Sequence, residues 1–266
     1  MDQEVVRQYA TDEPLQVRIR THELYSERTV DLDAACHRAL TLEGPESLVD
    51  VGAGPGAFLR YLRGHGHTGP LLAVDQSMGM ARKAATEMGA PAWAVVADAV
   101  RLPLREESLD RACARHMLYH VSDVPAAVSE LHRVLKPGGV LVAATNSADT
   151  TPLIRHLTRA LVEAFGGKGA EPTCAAFCIE NAQQILRGSF SVVEPRVSKN
   201  ALVFTTPEPI VDYVMTLVGF YGLPQDAKAL ADMREWLLAE VSRRLLHLGG
   251  TWRDPKAGGL FRCVKG

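Results

Sequence analysis

LVDVGAGPG, residues 48–56, is the stretch of sequence on which the interpretation of the whole chain depends. A short apolar strand leads through Asp50 into three glycines at alternate positions, and the following residues have the composition of a helix start. Glycine lets the backbone turn with φ above zero and places no Cβ between the main chain and a ligand. A strand, a glycine turn and a helix N-terminus in this order predict a site for a nucleotide-like ligand.

Composition limits the classes of function. The 266 residues carry a net charge of −2 and no cluster of Lys and Arg, so we expect neither nucleic acid nor a membrane as a partner. A polar, acidic N-terminal segment unlike a signal peptide, and the lack of an apolar run near the ~18 residues of a membrane span, predict a cytoplasmic protein. An odd number of scattered cysteines indicates reduced thiols, and we expect no metal site, although two of them are four residues apart. The five are Cys36, Cys113, Cys174, Cys178 and Cys263.

Residues 43–148 alternate between short apolar strands and helical segments. This pattern is typical of a parallel sheet that is buried on both faces. Ser77 is suited to cap the second helix, and the Lys-Pro-Gly-Gly sequence at 136–139 ends the third. The predicted strands are 47–51, 71–75, 92–97, 110–114 and 140–145, and the predicted helices are 57–64, 78–87 and 124–135.

The flanking segments do not follow this alternation. We predict a helical N-terminal lid over residues 1–42, cap helices over 149–248 with strands of the sheet near 190–205, and a C-terminal strand within 249–266 that completes the core sheet. Within the cap, helical patterns cover 151–165, 179–186, 207–218 and 226–248, with a flexible glycine joint at 166–169. Separate strands are expected at 190–194 and 201–205, and the closing strand at 258–264.

Two types of cofactor fit the glycine loop. The loop satisfies the dinucleotide pattern G-x-G-x-x-A, with Asp75 nineteen residues after Gly56. However, Asp50 lies two residues before the first glycine, where its charge disfavours a pyrophosphate. Asp98 adds a carboxylate at the end of a third strand, and this group suits an exocyclic amine. Together the carboxylates favour a ligand that has a ribose diol, an adenine and an amino-acid tail, and no phosphate.

The chain carries five motifs: D-V-G-A-G-P-G, Asp75, Ala97-Asp98-Ala99, the run from Arg115 to His120, and L-K-P-G-G at 135–139. Their order and spacing resemble those of the class I S-adenosylmethionine-dependent methyltransferases. The similarity covers about residues 46–146, and weaker similarity extends to Arg18-Ile19-x-x-His22, Asn146, Glu180-Asn181 and Gly259-Leu260-Phe261. It implies an α/β fold: a Rossmann-like doubly wound sheet, mostly parallel with an antiparallel C-terminal strand, plus the helical lid and cap insertions.

The resemblance implies S-adenosyl-L-methionine as the cofactor and S-adenosyl-L-homocysteine as the product. In that family the first carboxylate orders the methionine ammonium group, the second accepts the ribose hydroxyls, and the third accepts the adenine amine. Carried over to this chain, the cofactor residues are Asp50, Gly52, Ala53, Gly54, Gly56, Asp75, Gln76, Met80, Asp98, Ala99 and Arg115.

The methyl acceptor is less well defined by the sequence. Methyl transfer depends on holding the acceptor in line with the activated methyl group and on excluding water. A hydroxyl or a protonated amine also benefits from a general base, for which His116 and His22 are the candidates. Candidate substrate contacts are Arg18, Tyr25, His120, Asn146, Glu180 and Asn181.

The function predicted on these grounds is O- or N-methylation of a small-molecule acceptor by a monomer or homodimer. Three alternatives remain: an RNA or protein methyltransferase, a non-catalytic S-adenosylmethionine-binding protein, and a nicotinamide-dependent dehydrogenase. The lack of a basic patch disfavours RNA, and the acidic residue before the glycine loop disfavours a dinucleotide.

Overall fold

A computed structural model describes residues 13–88, 92–168 and 174–266 of the chain. Seven strands form one sheet: β1 (Leu48–Val51), β2 (Leu71–Asp75), β3 (Ala92–Val96), β4 (Leu109–Arg115), β5 (Leu135–Asn146), β6 (Val192–Phe204) and β7 (Trp252–Val264). Their order is β3-β2-β1-β4-β5-β7-β6. The first five strands are parallel, and β7 is antiparallel to both β5 and β6. The predicted fold class is therefore confirmed.

Helices cover both faces of this sheet. In the described residues they are α1 (Glu13–Tyr25), α2 (Leu32–Leu40), α3 (Ala57–Gly64), α4 (Met78–Glu87), α5 (Val124–Val134), α6 (Pro152–Phe165), α7 (Ile179–Arg187), α8 (Glu208–Met215) and α9 (Ala227–His247), with short 3₁₀ helices at Leu118–His120 and Val218–Tyr221. No helix in these ranges is both long and apolar enough to cross a membrane.

Strand alternation sends side chains into two separate cores. Leu48 packs with α2, α3 and α4 on one face, whereas Val49 and Val51 pack with α5 and α7 on the other. The helix ends follow local chemistry, since the predicted cap is confirmed: the Met80 N–H donates to Ser77 Oγ over 3.3 Å. Asp123 caps α5 in the same way, through the Ala126 N–H at 2.9 Å.

The two antiparallel strands extend beyond the rest of the sheet. β5 pairs with β7 only as far as Asn146 and Gly258, whereas β6 and β7 stay paired to Phe204 and Trp252. This extension, together with α6, α8 and α9, encloses a third core. α1 packs against α8 and β6, and the chain after α1 continues the edge of β6, where the Glu27 N–H donates to the Ala201 carbonyl over 2.9 Å. The cap therefore stands at the carboxyl end of β5.

Two expectations about the C-terminal third were wrong. Residues 190–194 and 201–205 are not separate strands, because β6 is continuous; Pro195 is tolerated since β6 is the edge strand, where a missing N–H need not break a ladder. The closing strand begins at Trp252, six residues before the predicted start, because residues 252–257 pair with β6 alone. Residues 1–12 of the predicted lid, and residue 169 of the glycine joint, lie outside the described residues.

Candidate functional site

The glycine loop lies at the carboxyl end of β1, between β2 and β4, where the strand order reverses direction. Such a switch point is where open α/β sheets bind ligands. Gly52, Gly54 and Gly56 all have positive φ, at 72°, 54° and 78°. A Cβ on Gly52 would lie 2.5 Å from Met117 Cβ, and one on Gly56 would lie 2.8 Å from Met88 Cγ. A Cβ on Gly54 would meet no atom within 4 Å, so Gly54 is the glycine that faces open space.

Asp75 ends β2 beside this opening. Its Oδ2 accepts the Gly54 N–H over 2.9 Å, and its Oδ1 accepts the Ser77 N–H over 2.8 Å. Burial raises the pKa of Asp75, and the backbone hydrogen bonds from Ser77 and Gly54 oppose that effect. Each carboxylate oxygen has a second lone pair, so the group can still accept two hydroxyl donors such as a ribose diol.

Asp50 is the most unusual group of the site. Its side chain is 1% exposed, and neither carboxylate oxygen has a hydrogen-bond partner in the described residues. The nearest cation is Arg115, whose Nη2 lies 3.7 Å from Asp50 Oδ2. Burial raises the pKa of Asp50 to about 6, although Arg115 acts in the opposite direction. A buried carboxylate in this state would be satisfied by a cationic ligand.

Arg115 is held in place from three sides. Its Nη1 donates to Asp33 Oδ1 on α2 over 2.6 Å, and its guanidinium carbon lies 4.0 Å from the centroid of the Phe58 ring. With Asp50 on the third side, the arginine is shared between two carboxylates. Sequence analysis missed Asp33, because it lies 82 residues from Arg115. In sequence it looks like an ordinary acidic residue in the first turn of a helix, exposed to solvent.

The remaining predicted cofactor residues lie along the ends of β1, β2 and β3. Asp98 is exposed and accepts the Val100 N–H over 3.2 Å, and Ala99 beside it is buried. Gln76 is exposed, whereas Met80 is 4% exposed in the first turn of α4. Ala53, in the glycine loop, is also buried, and its N–H donates to the Val74 carbonyl over 3.1 Å.

His116 follows Arg115 and has φ of 52°, a left-handed conformation that is costly for a residue other than glycine. Its Nδ1 is buried without a hydrogen-bond partner in the described ranges. Burial lowers the pKa of His116 to about 4, assisted by the charges of Arg115 and His120. His120 ends a 3₁₀ helix, and burial lowers its pKa to about 4 as well. Both imidazoles are neutral at pH 7.

His22 contacts a lysine that the sequence did not single out. Lys256 Nζ, on β7, lies 2.9 Å from His22 Nδ1 and donates to Ser26 Oγ over 2.6 Å. Burial lowers the pKa of His22 to about 3, with further lowering from Lys256, His116 and Arg18. Lys256 was missed because the closing strand was predicted to begin two residues after it.

Aromatic side chains of the cap lie beside this group. The His22 ring lies 5.8 Å from that of Tyr213 on α8, edge to face. Arg18, one turn earlier on α1, has its guanidinium carbon 5.9 Å from the Phe220 ring. The structure therefore brings Arg18, His22, Lys256 and two aromatic rings together between α1 and the cap.

Four predicted acceptor contacts lie at the edges of this region. Tyr25 stacks on Phe204 in the third core, with ring centroids 5.0 Å apart. Glu180 accepts hydrogen bonds from the Ser147 hydroxyl at 2.6 Å and the Ala148 N–H at 3.0 Å, next to Asn146 at the end of β5. Asn181 is used locally, since its Oδ1 accepts the Cys178 N–H and its Nδ2 donates to the Ala175 carbonyl, both over 2.8 Å. Contacts of these residues with an acceptor stay predictions.

Comparison with known proteins gives one family model and several relatives. The model described as "Methyltransferase domain" matches residues 49–143. Malonyl-[acyl-carrier protein] O-methyltransferase of Enterobacter lignolyticus is 32% identical over 145 residues, which cover 54% of this chain and 55% of that protein. The human mitochondrial protein named arginine-hydroxylase NDUFAF5 is 28% identical over 69% of this chain and 49% of its own length. The chain thus spans about half the length of these curated relatives.

Solved structures extend the similarity over most of the chain. A structure titled as a putative methyltransferase from Bacillus halodurans has a TM-score of 0.61 at 18% identity, covering 88% of this chain and 98% of that one. At this identity the match concerns the fold.

Proposed function

We propose that this protein transfers a methyl group from S-adenosylmethionine to an oxygen or nitrogen atom of a small-molecule acceptor. The match of residues 49–143 to a methyltransferase domain and the order of the strands support the proposal. The observation that carries the proposal is the carboxylate of Asp50, which is buried without a hydrogen-bond partner in the described residues, two positions before the glycine loop. The methionine portion of the cofactor ends in an ammonium group that suits this position.

The chemistry of the donor set fits this cofactor better than a dinucleotide. Asp50 and Asp75 flank the glycine loop with two carboxylates, which repel a pyrophosphate and attract hydroxyl and ammonium donors. Asp98 has only a backbone N–H from Val100 as a hydrogen-bond donor in the described structure, so it can accept the adenine amine. S-adenosylmethionine is the cofactor that domains of this class bind, and when bound it supplies a methyl group activated by the sulfonium charge.

The protein contributes positioning and a dry environment. Asp75, fixed by two backbone N–H groups, orients the ribose, while Arg115, clamped between Asp33 and Asp50, fixes the position of the Asp50 carboxylate. Positioning of this kind can contribute on the order of 7–11 kcal/mol to a bimolecular reaction. α1 and the cap exclude water from the acceptor side.

The two candidate bases have different roles in this proposal. His22 Nδ1 faces the Lys256 ammonium, so the proton of the neutral ring is on Nε2, and His22 acts as a hydrogen-bond donor that orients the acceptor. His116 is neutral and has no such cation at its buried Nδ1. The unprotonated nitrogen of His116 is therefore the proton acceptor when the methylated atom is a hydroxyl oxygen or an ammonium nitrogen.

Isothermal titration of the full chain with S-adenosylmethionine, S-adenosylhomocysteine and NAD⁺ tests the cofactor assignment. We expect binding of the first two and none of NAD⁺. Asp75→Asn should weaken binding about 10- to 150-fold, the loss that follows from charge-assisted hydrogen bonds worth about 1.5–3 kcal/mol. Asp232→Asn, an exposed site on α9, serves as the matched control and should leave the affinity unchanged. Equal affinity in both variants would exclude Asp75 from the ribose contact, and no binding by the wild-type protein would refute the proposed cofactor.

Turnover is tested with a panel of phenols, amines and carboxylates, by measuring the formation of S-adenosylhomocysteine. Methylation of one class supports the small-molecule proposal. Cofactor binding without transfer to any member, but with transfer to RNA or protein from the same cells, would favour the alternative acceptors.

A further inference from the structure

The region where α1, β7 and the cap meet has an uneven charge. It holds Arg18 and the half-buried Lys256, and neither forms an ion pair with a carboxylate in the described parts of the chain. By contrast, the neighbouring Arg115 is balanced by Asp33 and Asp50. An ammonium group that is partly removed from water without a counter-charge is unfavourable unless a ligand supplies one.

From this juxtaposition we infer that the acceptor carries a carboxylate group, which Lys256 and Arg18 bind between α1, β7 and the cap. The inference rests on the proposed function, because it names the class of acceptor for the same site. It concerns how the acceptor is recognised, and the carboxylate is bound as a handle whichever atom is methylated.

The geometry around Lys256 limits the number of contacts. An ammonium group has three N–H donors. One points to Ser26 Oγ at 2.6 Å and a second to His22 Nδ1 at 2.9 Å, so one donor is left for an anion. A single donor matches one oxygen of a carboxylate, which leaves the second oxygen for the guanidinium of Arg18. Inorganic phosphate is an anion that the same donors could also bind, so it serves as the competing probe.

The ionisation states of the neighbouring side chains are also consistent with a carboxylate ligand. Burial lowers the pKa of Lys256 to about 8, so the amine is still mostly protonated at pH 7. His22, His116 and His120 are uncharged at that pH and offer no counter-charge. Burial also raises the pKa of the Tyr213 phenol, so this group is not a competing anion. The Asp254 carboxylate also raises the pKa of Tyr213, but it is buried and accepts the Leu153 and Ile154 N–H groups. Lys256 and Arg18 are therefore the charged donors that an anion can reach here.

Aromatic rings define the shape of the probe. Tyr213 contacts His22, and Phe220 contacts Arg18, so the cations are adjacent to flat apolar surfaces. An aromatic carboxylate can place its ring on these surfaces while its charged group reaches Lys256. Benzoate and its uncharged analogue benzamide are a matched pair of probes for this arrangement.

Titration of the full chain with benzoate, benzamide and inorganic phosphate, with and without saturating S-adenosylhomocysteine, tests the inference. We expect benzoate to bind and benzamide to bind at least about 10-fold more weakly, which is the effect of one charge-assisted hydrogen bond. Lys256→Met should reduce benzoate affinity by a similar factor, and Lys256→Arg should restore most of it. Lys199→Met, at an exposed position on the neighbouring strand, removes the same charge and should have no effect.

The outcomes separate the two proposals. Failure to bind S-adenosylhomocysteine refutes the proposed function. Benzoate titration of the protein alone still tests whether Lys256 and Arg18 bind a carboxylate. No benzoate binding, equal binding of benzamide, or tighter binding of phosphate would each overturn the carboxylate assignment. If Lys256 only joins α1 to β7, Lys256→Met will lower the melting temperature and leave benzoate affinity as it is. Arg18→Met gives a second variant in case Lys256→Met does not fold.

Discussion

Replacement of Asp50 by Asn should stabilise the protein without its cofactor. Burial raises the pKa of Asp50 from 3.8 to about 6 in the folded state, and the ionised form is therefore disfavoured by roughly 3 kcal/mol, at about 1.4 kcal/mol for each pKa unit. The Asn side chain has nearly the shape of the protonated acid and carries no charge. Arg115 keeps its ion pair with Asp33 in the variant, at 2.6 Å in the wild-type structure, so it is not left without a partner.

The sign of the pH dependence follows from the direction of this shift. Because the folded-state pKa of Asp50 lies above the unfolded value, the folded protein binds more protons between pH 4 and pH 6, and Asp50 makes stability fall as the pH rises through that window. Asp50→Asn removes this contribution. The free energy of unfolding of the variant should equal that of the wild type near pH 4 and exceed it by up to about 3 kcal/mol at pH 8.

Urea unfolding between pH 4 and pH 8 measures the difference, and thermal melting at pH 8 should show a rise of roughly 6–12 °C for a chain of this size. Affinity for S-adenosylmethionine should fall about 10- to 150-fold at the same time, since the ammonium group loses a charged partner. Asp232→Asn on the exposed face of α9 controls for the change of net charge. A variant that is less stable at pH 8, or a difference that stays constant from pH 4 to pH 8, would show that the Asp50 carboxylate is not strained in the free protein.

Two further predictions concern the glycine loop and the cap. Gly52→Ala should lower the melting temperature strongly, because its Cβ would lie 2.5 Å from Met117 Cβ at a φ of 72°. Gly54→Ala should cost only about 1–2 kcal/mol of stability, because of its left-handed backbone. Its Cβ enters the open side of the loop and should weaken binding of S-adenosylhomocysteine, measured by titration. A larger loss of stability for Gly54→Ala than for Gly52→Ala would contradict the assignment of the open side. Asp254→Ala should lower the free energy of unfolding in urea by about 1–2 kcal/mol. The buried carboxylate accepts the Leu153 and Ile154 N–H groups at 3.0 and 2.8 Å, where α6 begins. Unchanged stability would show that water replaces these hydrogen bonds.

The parallel core was predictable from sequence because its signals are local. Each signal is contained in a few adjacent residues. They are the apolar strand that carries Asp50, the apolar strand that ends in Asp75, and the serine cap three residues before Met80. These features predicted a parallel sheet and helix α4 at its observed bounds. The resemblance to methyltransferases agrees with the domain match over residues 49–143. The roles of the glycines were less predictable, because the Met117 and Met88 side chains that fill two of the three positions come from elsewhere in the chain.

The contacts of the acceptor side could not be predicted, because they join distant segments. Lys256 contacts His22 across 234 residues. The contact between Arg115 and Asp33 on the cofactor side, across 82 residues, was missed for the same reason. In sequence, His22 shares a helix face with Arg18 and looks like part of a solvated surface, and Lys256 stands between a proline and two small residues. Only the long β6–β7 extension, which the sequence divided into separate pieces, brings Lys256 to α1.

The site holds two opposite charges that lack a partner of their own in the part of the chain that the structure describes: the buried Asp50 and the half-buried Lys256. Asp50 is a carboxylate without a hydrogen-bond donor in the described residues, and Lys256 is an ammonium without a counter-ion there. The two do not pair with each other in the described residues: Asp50 lies 3.7 Å from Arg115, and Lys256 contacts His22 and Ser26. Under the two proposals, each charge binds a different ligand group: Asp50 binds the cofactor ammonium, and Lys256 binds the acceptor carboxylate. Under these two proposals, binding of both ligands relieves both desolvation costs, so the ternary complex should be more stable to unfolding than either binary complex.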